Sequence, residues 1–553
     1  MSNEPEVHPQ QATNGNLISR RTVLKGGGAL AGALALGGAG LAPSSSRIPK
    51  RAIQSTVRSS SATSKFANFS SLVVAQPSPP TSFDPAVSTS NLSAFQQLYE
   101  GILAYTPDQK TLFPCLATEM PTQVNDVTWR ATIRDDRTFS DGSPITANDV
   151  KYSWDRIKQP SLASFAAGYL GFIKSVNVVG TDTVEFVTVA PVSALPDRFA
   201  MVRVVSEKYI AKVGAKYFST NGGCGSSSMY NKVPLSPSGI NLVPYEKYNG
   251  VLPVYTDKAA FTYYPETSTA FAELLSGEIN VVPFLPPNDV IAAQDDKSLK
   301  VGYVPNARST LICLLLFNCG KKPFNDQRVR QAVMYAMNRE QLVTIGTGGY
   351  GIVADSPLPK SNPYHVTPAS TYPHDPDKAK FLLKQAGYGD GLTFDLYVSN
   401  LGATANYAPL LEGQMASAGI NAKVRVLSVD SYFSEIFAGK YESFVFPTQF
   451  GNFSPDTDNL IRGWWGGYYN AKAAFWTTPA ANSIPGLLNK ALYSTHEATK
   501  RTAYGDVQEI IMAAAANVPI IFQAGVTAWS GNMAGFVPPA GGELAAVYKV
   551  HPQ

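Results

Sequence analysis

Cysteine and histidine are scarce, with four Cys and five His among 553 residues. Cys115, Cys224, Cys313 and Cys319 are too few for a disulfide scaffold, and no C-x-x-C pair occurs among them. In an oxidising compartment Cys115 and Cys224 either form a disulfide or remain buried thiols. Two of the histidines, His8 and His551, lie near the chain ends, and His496-Glu497 lacks the second histidine of H-E-x-x-H. No metal cluster is therefore expected. Neither G-x-S-x-G nor G-x-x-x-x-G-K-[ST] occurs, which removes the nucleophile elbow and the phosphate loop. The paired carboxylates Asp135-Asp136 and Asp295-Asp296 read as solvated turns. The expectation is a protein without enzymatic activity, cofactor or metal.

Charge of one sign is also missing from the body of the chain. The net charge is +4, but the first 65 residues hold 8 Lys/Arg against Glu4 and Glu6. The remainder carries 37 basic and 39 acidic residues, a net of −2, so a nucleic-acid partner is not expected. Nor is there a long hydrophobic run. Gly26 to Ala42 spans seventeen uncharged Gly, Ala and Leu residues, short and only mildly apolar for a membrane span. It follows Ser19-Arg20-Arg21-Thr22-Val23-Leu24-Lys25, and together they have the layout of a twin-arginine export signal. Residues 1–42 are expected to be that signal. Residues 43–66, rich in Ser and Thr, are expected to be a disordered linker.

What is present is a globular composition, 44% apolar and 11% aromatic, in a chain too long for one core. Its most informative stretch is Phe317 to Val343. The apolar run Leu311 to Phe317 reads as a buried strand leaving the core at Asn318. After a turn, Asn325 or Asp326 caps a helix whose Val329, Ala332, Val333, Ala336 and Met337 share one face. Asn338 begins a second helix, with Gln341 at the reciprocal capping-box position. Earlier, Ser71 to Ala75 reads as a strand, and a helix is expected to carry Leu98 to Leu103. Val127, Trp129, Ala131 and Ile133 alternate as in a half-buried strand. Thr146 caps a helix with Asp149 three residues on. Later, Asp375-Pro376 opens a helix that Gly387 closes, and strand Leu392 to Val398, helix Tyr407 to Ala418 and strand Ala422 to Leu427 follow. That β-α-β alternation predicts an α/β fold.

These strings carry a resemblance. F-N-C-G-K-K-P-F-N-D-Q-R-V-R-Q-A-V-M-Y-A-M-N-R-E from Phe317 is similar to a segment of the large extracytoplasmic solute-binding proteins of ABC importers, family 5, the oligopeptide-, dipeptide- and nickel-binding type. So are Leu98-Tyr99-Glu100-Gly101-Ile102, Pro114-Cys115-Leu116-Ala117 and the run from Trp129 to Ile157. Ser236 to Asn241, where the family shows G-T-G-P-Y, and Gly277-Glu278-Ile279-Asn280 match less closely. The likeness spans roughly 70 to 540. It implies a two-lobed periplasmic-binding-protein-like fold of class C, α/β throughout. The expected first lobe is 67–307 with an inserted subdomain at about 104–230, the second lobe 308–518, and the return to the first lobe 519–553. It also implies a monomer that captures a small solute in an interlobe cleft, in the periplasm or on the outer face of the cytoplasmic membrane, and delivers it to ABC permease subunits.

The resemblance also points to ligand-binding residues. Pro447 to Asn459 resembles a strand and loop ending in D-P-D-N, before which peptide binders place a carboxylate for the ligand's amino terminus; the matching place here is Gly451 or Asn452. Dipeptide binders set an arginine after the strand matching 392–399; here Asn400-Leu401-Gly402 has no basic residue. The expected contacts are Ser88, Thr89, Ser90 and Asn91 from the first lobe, and Asn400, Thr448, Gln449, Phe450, Gly451, Asn452, Trp464 and Trp465 from the second. Trp464, Trp465, Tyr468, Tyr469, Phe475 and Trp476 form either core packing or a stacking wall for a sugar ring or apolar side chain. The leading ligand is a peptide or peptide-like solute. An oligosaccharide is the alternative within the family, and an exported hydrolase the alternative outside it.

Overall fold

The computed structural model describes residues 69–88, 92–106, 109–162, 164–304, 310–399, 404–427, 431, 434–436, 438–450, 456–539, 547 and 550–553. At the middle of the second lobe lies the strand Thr310–Phe317, flanked antiparallel by Asn517–Gln523 and by Ser443–Phe450. Being covered on both faces, it has no need of polar alternation, and so it reads as one apolar run. The register shifts between Cys313 and Leu314, where Leu314 stands opposite Pro519, a residue with no N–H to give the ladder. The full sheet runs Gly351–Val353, Asn517–Gln523, Thr310–Phe317, Ser443–Phe450, Leu392–Ser399, Ile420–Leu427. Its last three strands are parallel neighbours.

The helix Gln327–Ala336 begins at Asp326, whose carboxylate accepts from the Arg328 N–H at 2.8 Å. Val329, Ala332, Val333, Ala336 and Met337 are all buried in the core beneath this sheet, where Phe324 lies between Phe317 and Phe394. The valine, methionine and phenylalanine side chains each contribute roughly 1.5–3 kcal/mol by leaving water, and each alanine methyl about 0.8 kcal/mol. Asn338 does cap the following turn, but the reciprocal half of the box differs from expectation. The Asn338 N–H goes to Gln414 Oε1 at 3.0 Å, and Gln414 Nε2 in turn donates to Gln341. A side chain from another helix has taken the role that the local spacing assigned to Gln341. The arginines of this stretch are structural: Arg330 donates to the Ala514 carbonyl at the end of helix Glu497–Ala514. Buried Arg339 serves the carbonyls of Ala354 and Tyr372. Loose C-terminal carbonyls of helices and loops are satisfied in this way.

The first lobe holds a seven-stranded sheet in the order Leu299–Gly302, Thr527–Ser530, Val281–Val282, Leu72–Gln76, Ala259–Tyr263, Gly239–Pro244, Met229–Tyr230. Leu72–Gln76 is parallel to both of its neighbours. A separate four-stranded antiparallel sheet, built from Thr122–Asn125, Thr128–Thr132, Thr183–Thr188 and Ile173–Val179, is covered by the helix Ala147–Ile157. That helix starts with a complete Thr146–Asp149 capping box and drives Trp154 edge-on against Phe186, centroids 4.7 Å apart. The helix expected to carry Leu98 to Leu103 ends at Leu98, and Leu103–Tyr105 is a strand. At Gly101 between them a Cβ would meet the carbonyl oxygens of Phe199 at 2.7 Å and Leu103 at 2.9 Å, so the chain there is pressed against its neighbours. The four cysteines are free thiols, three of them buried.

Candidate ligand cleft

Ligands of open α/β sheets gather where parallel strands end. In the first lobe Leu72–Gln76 ends in the loop 77–88. The second half of that loop, from Thr81, is tied down. Asp84 N–H donates to Ser82 Oγ at 2.9 Å, Ala86 N–H to Asp84 Oδ1 at 3.0 Å, and Tyr99 Oη–H to the Phe83 carbonyl at 3.0 Å. Arg156 grips both oxygens of Asp84, at 2.8 and 2.6 Å, with side chains only 5% and 2% exposed. Burial works against the Arg156 charge, but Asp84 more than offsets it and holds the guanidinium pKa above its ordinary value. Ser88 closes the loop. It is buried, its N–H donates to the Asp84 carbonyl, and its hydroxyl lies 3.2 Å from that of Thr81. Thr89, Ser90 and Asn91 lie outside the described residues.

In the second lobe Leu392–Ser399 and Ser443–Phe450 are parallel neighbours, with Val398 paired to Val445. Both end on the same edge of the sheet, so two stretches about fifty residues apart in sequence reach one place. Thr448, Gln449 and Phe450 are the last residues of their strand, paired through the backbone with Ile312, Leu311 and Thr310. Asn400, Gly451 and Asn452 lie outside the described residues.

The aromatic group divides. Trp465 is fully buried in the core on the opposite face of this sheet, and its indole N–H donates to the Asn517 carbonyl at 2.9 Å. Trp476 is 2% exposed in the same core. A stacking platform must be open to the ligand, and these two rings are packed among Leu, Ile and Ala side chains instead. Trp464 is half-buried at the margin of that core.

Sequence reasoning missed the charges that join the lobes. Arg198, on the helix Leu195–Met201 beside the four-stranded sheet, forms an ion pair with Asp456, the cap of helix Thr457–Trp465. Its other nitrogen lies 3.6 Å from Asp458. Lys500 Nζ donates to Ser193 Oγ at 3.0 Å across the same contact, and Leu492 joins the apolar cluster of the four-stranded sheet and its helix. Asp456 and Asp458 stood out only as letters of a motif; their partner is 258 residues away from Asp456, beyond the reach of any spacing rule. The Arg156–Asp84 link had a fainter signal, an arginine beside the apolar face of the Ala147–Ile157 helix.

Among the described residues no group of three or more His, Cys, Asp or Glu could hold a metal ion. Likewise, no helix among them is long and apolar enough to cross a membrane.

Known proteins resemble the chain over most of its length. The family model for bacterial extracellular solute-binding proteins, family 5, matches residues 111–474. A glutathione-binding protein of Pectobacterium atrosepticum is 27% identical over 481 residues, covering 84% of this chain and 91% of the relative. A dipeptide-binding protein of Escherichia coli is 25% identical over 415 residues, 70% of this chain and 77% of the relative. Among solved structures, the Helicobacter pylori periplasmic binding protein DppA in complex with the peptide STSA superposes with a TM-score of 0.77 at 21% identity, covering 88% of this chain and 98% of that one. The dipeptide-binding protein of Pseudoalteromonas in complex with Met-Leu gives 0.78 at 20% identity, with 87% and 100% covered.

Proposed function

Because the chain belongs to the bacterial extracellular solute-binding proteins of family 5, we propose that it is the capture subunit of an ABC importer for a peptide or peptide-like solute. The observation that carries this reading is the pair of α/β lobes whose parallel strands end in loops, one of them anchored by Arg156. Ligand touching both lobes favours the closed form, and the closed form docks on membrane permease subunits. The protein works as a monomer and its task is binding, not turnover. The names of the relatives, glutathione- and dipeptide-binding, support a peptide-like ligand over a sugar. With Trp465 and Trp476 in the core, those two rings offer an oligosaccharide no open stacking face.

The proposed contacts are Ser88 to Asn91, Asn400, Thr448 to Asn452 and Trp464. We place residues 1–42 as a twin-arginine signal, 43–66 as a linker, and the lobes at 67–307 and 308–518 with a return through 519–553. The mature protein then acts outside the cytoplasmic membrane.

A free dipeptide buries two charged ends. Neither the Gly451-Asn452 neighbourhood nor that of Asn400 offers a charged partner. Hydrogen bonds to charged groups are worth about 1.5–3 kcal/mol each. Losing two weakens binding by roughly 3–6 kcal/mol, or about two to four decades. Calorimetric titration with simple dipeptides, pentapeptides, glutathione and cello- or xylo-oligosaccharides tests this. A longer or modified peptide is expected to bind best, and micromolar or tighter binding of a simple dipeptide would refute the assignment of the contacts.

A further inference from the structure

We propose that Arg198 is an interlobe latch: through Asp456 and Asp458 it holds the lobes together and sets how much closed form exists before ligand arrives. This rests on the binding-protein reading above. The arginine is aimed from its own lobe. Its Nε–H donates to the Tyr169 carbonyl at 3.2 Å, its guanidinium lies 5.9 Å from the Phe172 ring centre, and the residue has no exposed surface. From the other lobe come Asp456, 8% exposed, and Asp458, 2% exposed. Asp456 also accepts the Asn459 N–H at 3.0 Å as helix cap. Asp458 is gripped at 2.7 to 3.0 Å by Arg462, which reaches on to Asn489.

Closed, the charges of Arg198, Arg462, Asp456 and Asp458 balance one another, with Asp197 acting on Arg198 from its own side. Separated, the second lobe keeps two carboxylates against Arg462 alone, while Arg198 is left with the Phe172 ring, the Tyr169 carbonyl and its chain neighbour Asp197. Water compensates both sets of charges when the lobes part, so the intact cluster favours closure only mildly and reversibly. Taking away one partner is different, since it leaves an uncompensated charge that only opening can hydrate. The surrounding contact is close-fitting. A Cβ on Gly463 would sit 2.5 Å from the Tyr169 hydroxyl, and Lys500 bonds Ser193 nearby.

The test uses the exported protein without ligand, so it does not depend on which solute is carried or on any permease. Small-angle scattering of the wild type is expected to give a radius of gyration near the roughly 23 Å of a compact chain of this size. Arg198→Met should shift the closed-to-open ratio by about a hundredfold or more toward open and raise that radius. Its far-ultraviolet circular dichroism should stay that of the wild type. Arg198→Lys, which keeps the charge but loses the fork, should fall between them. A folded Arg198→Met protein with an unchanged radius overturns the proposal. So does loss of folding in both variants, which would make Arg198 part of the folding core.

Discussion

Asp84 and Arg156, 72 residues apart in the chain, meet in a two-pronged ion pair that water scarcely reaches. The pair joins the loop after the first strand to the helix over the four-stranded sheet, so the loop that ends in Ser88 is held by tertiary structure as well as by its own turns. Removing one partner of a buried pair strands the other, at about 3–5 kcal/mol. Arg156→Met is therefore expected to lower the unfolding free energy by that amount in urea titration. The loss should exceed that of an exposed control, Arg134→Met, whose partner Asp136 is on the surface.

Asp326 ties stability to pH. The hydrogen bond from Arg328 holds its carboxyl below the ordinary aspartate value of 3.8, with burial opposing. A depressed pKa in the folded state contributes stability above the unfolded value, and that contribution is lost as pH falls through the folded one. Asp326→Ala should cost about 1 kcal/mol at pH 7 by loss of the cap. The gap between variant and wild type should narrow in strong acid. A gap that stayed constant from pH 7 to pH 2 would assign the effect to the side chain's packing instead of its charge.

Export is expected to depend on Arg20 and Arg21, the paired basic residues before the Gly26 to Ala42 run. Replacing both by Lys should leave folded precursor in the cytoplasm of the host, as read by fractionation. Unchanged export would show that another route carries the protein.

The purified protein is expected to show no turnover on peptide, ester or glycoside libraries. Steady hydrolysis that a substitution in the cleft abolishes would restore the hydrolase reading.

Much of the fold was legible because it rests on short-range physics. The Thr146–Asp149 box, the Asp326 cap, the Asp375-Pro376 helix start and the apolar run of Thr310–Phe317 each follow from residues within a few positions of one another. The family likeness was legible in the same strings. Asn338 shows where this stops. Its own cap bond to the Gln341 N–H was readable, but the partner of its backbone N–H is Gln414, from a helix that only folding brings near.

The candidate site divides on the same line. The sequence by itself determined the composition of the two loops and the absence of charged residues at Asn400, Gly451 and Asn452, because those are properties of single positions. Tertiary structure alone decided which aromatic rings are core. Trp464 and Trp465 are adjacent letters, yet helical geometry points one to the margin and buries the other against Asn517. It alone also decided that Asp456 and Asp458 face Arg198. A charge chooses its partner by distance in space, and no period or spacing within the chain encodes a distance across two lobes.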